Sequence, residues 1–501
     1  MEENLFNWYS FRENSTLLEI QPYTEVTSNF LATKTQVDVA TAEDVQKIDS
    51  EKKYNYVVLY DVSYLEYAKR MVKSDGTILL ITNNRFGISY WAGGSYNGRL
   101  FTNIENDSNE VYTRKELIEV LENNNLNHYK FYYPLPNYKN PNVIFSDNYL
   151  PKKNETKISY SINYENNSVV IFDEIKVMRQ IIKNDLFKDF ANSFFVEINM
   201  ENNFDLAKFI SFNNNRKEEY RLITIIYNDK VEKRAITELG KTHIANIKRN
   251  IENLKNLDFD IIDEESNGII ISPYINQDTF DKTLVDLLKK GEKNLAIELI
   301  SKWYDYIKLR LVKNDETTLN PNIKSDGLNL DELTILKNGY IDLVFENTFL
   351  CEDNFRFFDQ EWYLEGIPLE FILYRAINNL YIYNSDIENV IAKDTIMEHF
   401  NLLKDFSLYS EIERFFQQQI IDEEKVKYNN NSIKLQKDIN ETGVLLQQIR
   451  DFEKNDIKQN QYIKSLEDDN KNKQKYIELL EEKLNKSFSN YIRNVFKKGD
   501  K

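Results

Sequence analysis

The chain has 501 residues, more than one hydrophobic core serves, and its length alone predicts about three domains. With 41% hydrophobic and 29% charged residues it excludes wholesale disorder, and its formal charge of −17 disfavours a nucleic-acid partner, because phosphate contacts need clustered Lys and Arg. A local basic pocket for a nucleotide is still compatible with that total.

The single Cys351 leaves no disulfide within the chain, which predicts a reducing, cytoplasmic setting. Residues 1–20 carry no secretory pattern, and no run approaches the roughly 20 apolar residues of a spanning helix. His128, His243 and His399 are scattered, without metal-ligand spacing. The 32 Tyr and 30 Phe can fill sizeable cores.

Along the chain, Leu17–Ile20, Tyr56–Tyr60 and Thr77–Thr82 read as short apolar strands, the last following a turn at Ser74-Asp75-Gly76. Helical stretches such as Ser63–Val72 lie between them, so a mostly parallel sheet wrapped by helices is expected. In 128–151, Pro134, Pro136 and Pro141 forbid a helix, and a long ordered loop is expected. Next, Tyr220–Tyr227 and Val231–Ala235 flank the turn Asn228-Asp229-Lys230, a hairpin. A helix over Thr237–Leu257, a strand over Gly268–Pro273 and a helix-rich remainder complete a two-lobed α+β body.

From 425 to 490 the sequence turns polar, with Leu435, Ile449, Ile463, Ile477 and Leu484 at heptad position a. Position d holds Leu445, Phe452, Leu466 and Leu480, and Asp456, Gln459, Asn470 and Lys473 interrupt the seam. That spacing predicts a coiled coil and self-association, with register set by the polar positions. The tail Tyr491–Lys498 alternates apolar and basic residues; its alternatives are contact with an anionic membrane face and an ordinary polar end. The expected domains are 1–155, 156–420 and the coil 425–490, followed by the basic tail 491–501.

Three segments carry a resemblance: Asn83–Gly93, Phe131–Lys139 and Ile144–Pro151. They resemble a bacterial family of class I S-adenosylmethionine-dependent methyltransferases found in surface-polysaccharide clusters. The resemblance implies a Rossmann-like fold, with a nucleoside cofactor at the C-terminal strand ends and Gly-x-Gly-x-Gly after the first strand. Here those places hold Gln21, Tyr23 and Glu25. The ribose-binding acid falls on Ala40, with Asp38 two residues earlier. These departures argue against tight S-adenosylmethionine binding and for a fold kept as a scaffold. The alternative is an active enzyme with a rebuilt loop.

The second region offers the parts of phosphoryl transfer: a cation, metal ligands, a base and a frame to align them. Asp342 and Asn347 stand five apart, the spacing of a catalytic-loop base and a metal-binding amide. Twelve residues on, Asp359 follows an apolar strand as a second metal ligand, with Glu361 assisting. Lys233 on the hairpin is the candidate for the phosphates of Mg·ATP (or Mn·ATP), paired with Glu252 or, alternatively, Glu238. Ile271-Ser272-Pro273-Tyr274 reads as an adenine-carrying hinge through Ser272 and Tyr274. There is no Gly-x-Gly-x-x-Gly, and neither His nor Arg directly precedes Asp342, which favours small-molecule phosphotransferases and leaves a pseudokinase open.

Asn192–Glu197, Phe358–Trp362 and Ile367–Ala376 extend the resemblance to about residues 17–420. The whole order is similar to the dual-activity chain-terminating enzymes of O-antigen synthesis. That implies a saccharide acceptor whose end receives phosphate and methyl, with the coil setting chain length. A homo-oligomer is expected from the coil, contact with the inner membrane face from the tail, and glycosyltransferases as partners. A scaffold that assembles glycosyltransferases through the coil is the non-enzymatic alternative.

Overall fold

The computed structural model describes residues 3–41, 43–44, 51–96, 99–100, 111–152, 172–312, 318–324, 330, 332–352, 354–424 and 442–496. It divides into two units, 1–435 and 436–501.

The first unit is built on one twelve-stranded sheet. Its strands begin with β1 (Thr16–Ile20), β2 (Gln36–Ala40), β3 (Tyr54–Leu59) and β4 (Val72–Asn83). These four are parallel neighbours in the order β2-β1-β3-β4. The inner strands β1, β3 and β4 are buried and carry apolar runs, with Ile78–Ile81 wholly covered, whereas the edge strand β2 is largely exposed. Ser74-Asp75-Gly76, expected as a turn, lies inside β4, where the β3 register shifts between Tyr54↔Val72 and Tyr56↔Thr77. Gly76 is needed there, since a Cβ would meet Val72 Cγ2 at 2.7 Å and the Asn55 carbonyl at 2.9 Å.

A short pair, β5 (Ser95–Tyr96) and β6 (Arg99–Leu100), stands apart from the sheet. The helix Arg114–Asn123 follows, started by a capping box of Thr113 and Glu116. Then come β7 (Tyr129–Leu135), β8 (Val143–Ser146) and β9 (Ser193–Asn199). β9 is antiparallel and inserted between β4 and β7. The expected loop over 128–151 is therefore mostly a strand pair at the centre of the sheet. Phe131, Tyr132 and Tyr133 are fully buried there, and that apolar run outweighs the prolines. β9 lies beyond residue 155, yet its neighbours on both sides come before it.

The sheet continues as an antiparallel meander through β10 (Phe209–Phe212), β11 (Leu222–Ile226) and β12 (Lys230–Ala235). Ile210 pairs with Ile144, so β10 joins β8 directly. β13 (Asp260–Ile261) belongs to another sheet, whereas β14 (Glu264–Ser266) and β15 (Ile269–Pro273) close the meander beside β12. The expected hairpin, its following helix (Gly240–Asn256) and the next strand are all present. Beyond them lie the helices Phe280–Lys289 and Lys293–Leu311, then β16 (Ile335–Tyr340), β17 (Thr348–Cys351), β18 (Asn354–Phe357) and β19 (Tyr363–Pro368). β17 and β18 form a hairpin, and β16 pairs with β19.

Three apolar clusters hold this unit. One includes Leu18, Leu80 and Phe194; a second includes Leu17, Leu79 and Phe195; the third fills the later half around Trp303, Phe345 and Ile372. Strand neighbours such as Leu79 and Leu80 fall in different clusters because alternate side chains point to opposite faces.

The second unit is one helix, Thr442–Phe496, of 55 residues. Ile449, Phe452, Ile463, Leu466, Ile477, Leu480 and Leu484 are all exposed on it. Leu435 lies outside the described residues. Among the described residues no helix is long and apolar enough to cross a membrane.

Candidate functional site

Two places were expected to carry chemistry. The first is the C-terminal edge of β1–β4. Here Gln21 takes a positive φ of 53°, a conformation glycine adopts without cost. Tyr23, Tyr60 and Tyr138 crowd just beyond the ends of β1 and β3, with ring centroids 6.2 Å (Tyr23–Tyr60) and 5.4 Å (Tyr23–Tyr138) apart. The Tyr60 hydroxyl donates to the buried Glu19 Oε1 at 3.1 Å, and the Lys139 ammonium lies over Tyr23. Asp38 is engaged too: it accepts from the Tyr54 hydroxyl at 2.6 Å and from Lys52. Those two donors, Lys52 first, hold its carboxyl below the usual range. Aromatic rings thus stand where a glycine backbone would admit a nucleoside, and the nearest acid is already bonded. These residues do not fit S-adenosylmethionine.

The second place is built by β12, the 240–256 helix, the loop after β16 and the segment after β18. Neighbours on β12 alternate, so Lys233 faces this site while Glu232 and Arg234 face away. On that far side lies a cleft of about 590 Å³ with Arg12, Glu197 and Lys230 on its wall. Lys230 pairs with Glu232 on this wall at 2.6 Å, and Arg12 pairs with Asp75 outside it at 2.8 Å.

On the near side, Lys233 forms an ion pair with Asp359 and a longer one with Glu361 at 3.5 Å. Burial pulls its ammonium down, but the two carboxylates outweigh that and hold it above its ordinary value. Asp359 sits at φ 59°, a left-handed conformation that costs a non-glycine residue energy and recurs at active sites. Its amide donates to Asp263 Oδ2 at 2.6 Å, and Ser272 Oγ donates to Asp263 Oδ1 at 2.5 Å. Burial, with Asp359 nearby, pushes the Asp263 carboxyl up to about 6.

Asp342 ends the turn after β16. Its Oδ2 accepts the amides of Glu361 (2.9 Å) and Trp362 (2.8 Å), which fixes it against the segment carrying Asp359. Among the described residues Oδ1 has no protein donor. Burial pushes this carboxyl up to about 7; Arg375 opposes the rise, and Glu361 and Asp359 add to it. Asn347 Nδ2 donates to the carbonyls of Asp342 (3.2 Å) and Asp359 (3.3 Å), leaving its Oδ1 as an acceptor.

Glu361 is enclosed by two cations and a histidine. Its Oε1 meets His243 Nε2 at 2.7 Å and the Arg216 guanidinium, and Lys233 approaches Oε2. Burial would push it up, but Arg216, Lys233 and His243 outweigh that and hold it well below the carboxylate range. With its oxygens so occupied, it stands as a partner for cations already present.

The structure brings Lys233, Asp342, Asn347, Asp359 and Glu361 together. It does not bring Glu252 or Glu238. Glu252 is exposed because the buried stripe of its helix runs His243, Ile247, Asn250 and Leu254. Glu238 is exposed as well and pairs with Lys241. The adenine-carrying expectation for Ser272 and Tyr274 meets two engaged groups: Ser272 holds Asp263, and the Tyr274 amide donates to the Asp229 carbonyl at 2.8 Å.

Sequence reasoning missed Asp263, Arg216, His243 and Asn250. Only His243 left a signal, as a rare histidine on the apolar face of a helix. Among the described residues no group of three or more His, Cys, Asp or Glu is placed to hold a metal by itself. Mg²⁺ asks for less: one or two side-chain oxygens, with phosphates and water completing its shell. Asn347 Oδ1 and the Asp359 carboxylate fit that requirement.

No family model matches the chain, and no curated protein matches it. Among solved structures it is similar to a putative methyltransferase from Bacillus halodurans, at 12% identity over 26% of this chain and 69% of that one, with a TM-score of 0.20. A SAM-dependent methyltransferase from Archaeoglobus fulgidus aligns at 13% identity over 38% and 87%, with a TM-score of 0.22. PKMT2 from Rickettsia typhi, in complex with AdoHcy, aligns at 10% identity over 83% and 96%, with a TM-score of 0.19. Similarity at that level assigns this chain neither a substrate nor a cofactor.

Proposed function

We infer that this protein transfers a phosphoryl group from Mg·ATP to a hydroxyl of a saccharide or polyol, as a step in bacterial surface-glycan synthesis. The observation that carries the reading is the meeting of Lys233, Asp342, Asn347 and Asp359, drawn from strands and turns up to 126 residues apart. Lys233 would take the phosphates once it leaves Asp359. Asn347 and Asp359 would hold the metal, which neutralises charge on the phosphates when bound. Asp342, fixed by two amides with Oδ1 open, orients the acceptor hydroxyl and takes its proton; burial keeps its affinity for protons near neutral. The glycan setting and its glycosyltransferase partners rest on the resemblance alone, carried by Asn83–Gly93, Phe131–Lys139, Ile144–Pro151, Asn192–Glu197, Phe358–Trp362 and Ile367–Ala376.

In this reading residues 1–155, completed by β9, are a methyltransferase-like frame without the cofactor, 156–420 form a kinase-like body, and 425–490 self-associate as a coil. Calorimetric titration of the full chain with Mg·ATP tests it, beside Asp359→Ala. Binding that the variant loses is expected. Absence of binding in both would favour the scaffold reading, which the tyrosine-filled cofactor edge already supports. Binding of S-adenosylmethionine by the same protein would instead restore the methyltransferase.

A further inference from the structure

Lys233 has two carboxylates within reach, and they are held very differently. Glu361 is 5% exposed and fixed on every side: His243 and Arg216 on Oε1, its amide on Asp342, and its carbonyl accepting from Asn250 Nδ2 at 3.0 Å. The His243 ring is itself pinned, 4.3 Å from the Trp362 ring and 5.2 Å from Tyr220. The Asp359 side chain is one-third exposed. The helix packed against β12, from which a kinase-like fold brings the lysine's carboxylate, offers His243 and Asn250 on its buried face. Both of these bind Glu361.

We propose that Glu361 is the standing counter-charge of Lys233 and Asp359 its temporary one: a divalent cation arriving at Asp359 moves the ammonium onto Glu361, with His243 and Asn250 as positioning residues. This rests on the Mg·ATP reading above. A buried ammonium cannot leave one carboxylate without another to receive it. Glu361 at 3.5 Å removes that obstacle, because the head group shifts by roughly an ångström and is never unpaired. The cation then finds Asp359 vacated without the lysine entering water. The counter-charge comes from the segment that carries Asp359, so the buried face of the helix needs no carboxylate to swing in or out, and the site stays assembled without its movement. Glu361 thereby acts on the lysine and not on the metal.

The test measures ATP binding to the full chain by calorimetry across a Mg²⁺ series, reading the Mg²⁺ concentration that half-saturates binding. In Glu361→Gln the lysine stays on Asp359 and competes with the cation, so that concentration rises tenfold or more. His243→Leu gives a rise in the same direction, and His243→Gln, which keeps a nitrogen donor, recovers part of it. A folded Glu361→Gln protein with the wild-type Mg²⁺ requirement overturns the proposal. Should Glu361→Gln fail to fold, Glu361→Asp keeps the charge but withdraws it by one methylene. A smaller rise is expected there, and no rise overturns the proposal. Wild-type protein that binds no ATP at any Mg²⁺ concentration overturns the Mg·ATP reading itself, an outcome distinct from either variant result.

Discussion

Two glutamates, one in each half of the large sheet unit, are equally hidden from water and titrate in opposite directions. Glu197 on β9 is 1% exposed and Glu361 is 5% exposed. Glu197 is met by neutral donors: the Tyr9 hydroxyl at 2.7 Å, the Tyr132 hydroxyl at 3.5 Å and the Asp205 amide at 3.0 Å. The nearby Lys130 spends its ammonium on the carbonyls of Asp205 and Ala207. Burial pushes Glu197 up to about 7, while the cations around Glu361 hold it down. Desolvation is common to both, so the charge of the partners decides the state. One half contains a carboxyl whose neutral form burial favours; the other contains one whose ionised form its partners favour.

That difference can be broken most forcefully in the charged cluster. Asp342→Asn should lower phosphoryl transfer by about 10²–10⁴-fold, the usual contribution of a general base. Its Mg·ATP affinity, read by calorimetry, should remain within about threefold, because the role proposed for Asp342 is toward the acceptor and not the nucleotide. Next in size, Glu361→Leu leaves Arg216, Lys233 and His243 without their shared counter-charge. The expected loss is about 3–5 kcal/mol, the cost of breaking a buried ion pair, measured by urea denaturation.

Glu197→Gln sharpens the comparison through pH. A carboxyl with a raised folded-state value stabilises the fold fully below its unfolded value near 4.3. That contribution is lost as pH rises through about 7. Urea midpoints of the wild type should therefore fall from pH 4.5 to 7.5, and Glu197→Gln should fall less, with the gap widening toward alkaline pH. Smallest of all, Glu252→Ala should shift Mg·ATP affinity by less than about twofold, since that side chain points to solvent. A large loss there would contradict the Lys233 pairing described above.

Much of the later half was legible because local chemistry and fold agree there. The Asn228-Asp229-Lys230 turn, the helix after it and the Asp342–Asn347 spacing all lie within short windows. The pairing of Lys233 was not legible. Sequence offers Glu238 and Glu252 as near neighbours, whereas the true partners arrive from 126 and 128 residues away. Asp263 is one acid in a run of three, and only its burial against Ser272 and Asp359 distinguishes it. In the earlier half, Pro134 and Pro136 suggested a loop, and the aromatic alternation of Tyr129–Tyr133 carried the better signal. Nor did any local pattern announce that β9 would slip between β4 and β7. The long helix followed from its heptads, and the proposed self-association would cover Ile449 and Leu466. Truncation after residue 441 should turn an oligomer into a monomer by light scattering.

The pairing of Ile210 with Ile144 has a mechanical meaning. Two enzyme-like bodies joined only by a linker would rock against each other. Here main-chain hydrogen bonds cross from β8 to β10 within one sheet, so relative rotation would have to tear a strand pair. The unit is therefore a stiff beam, and heating should melt its two halves in a single calorimetric transition.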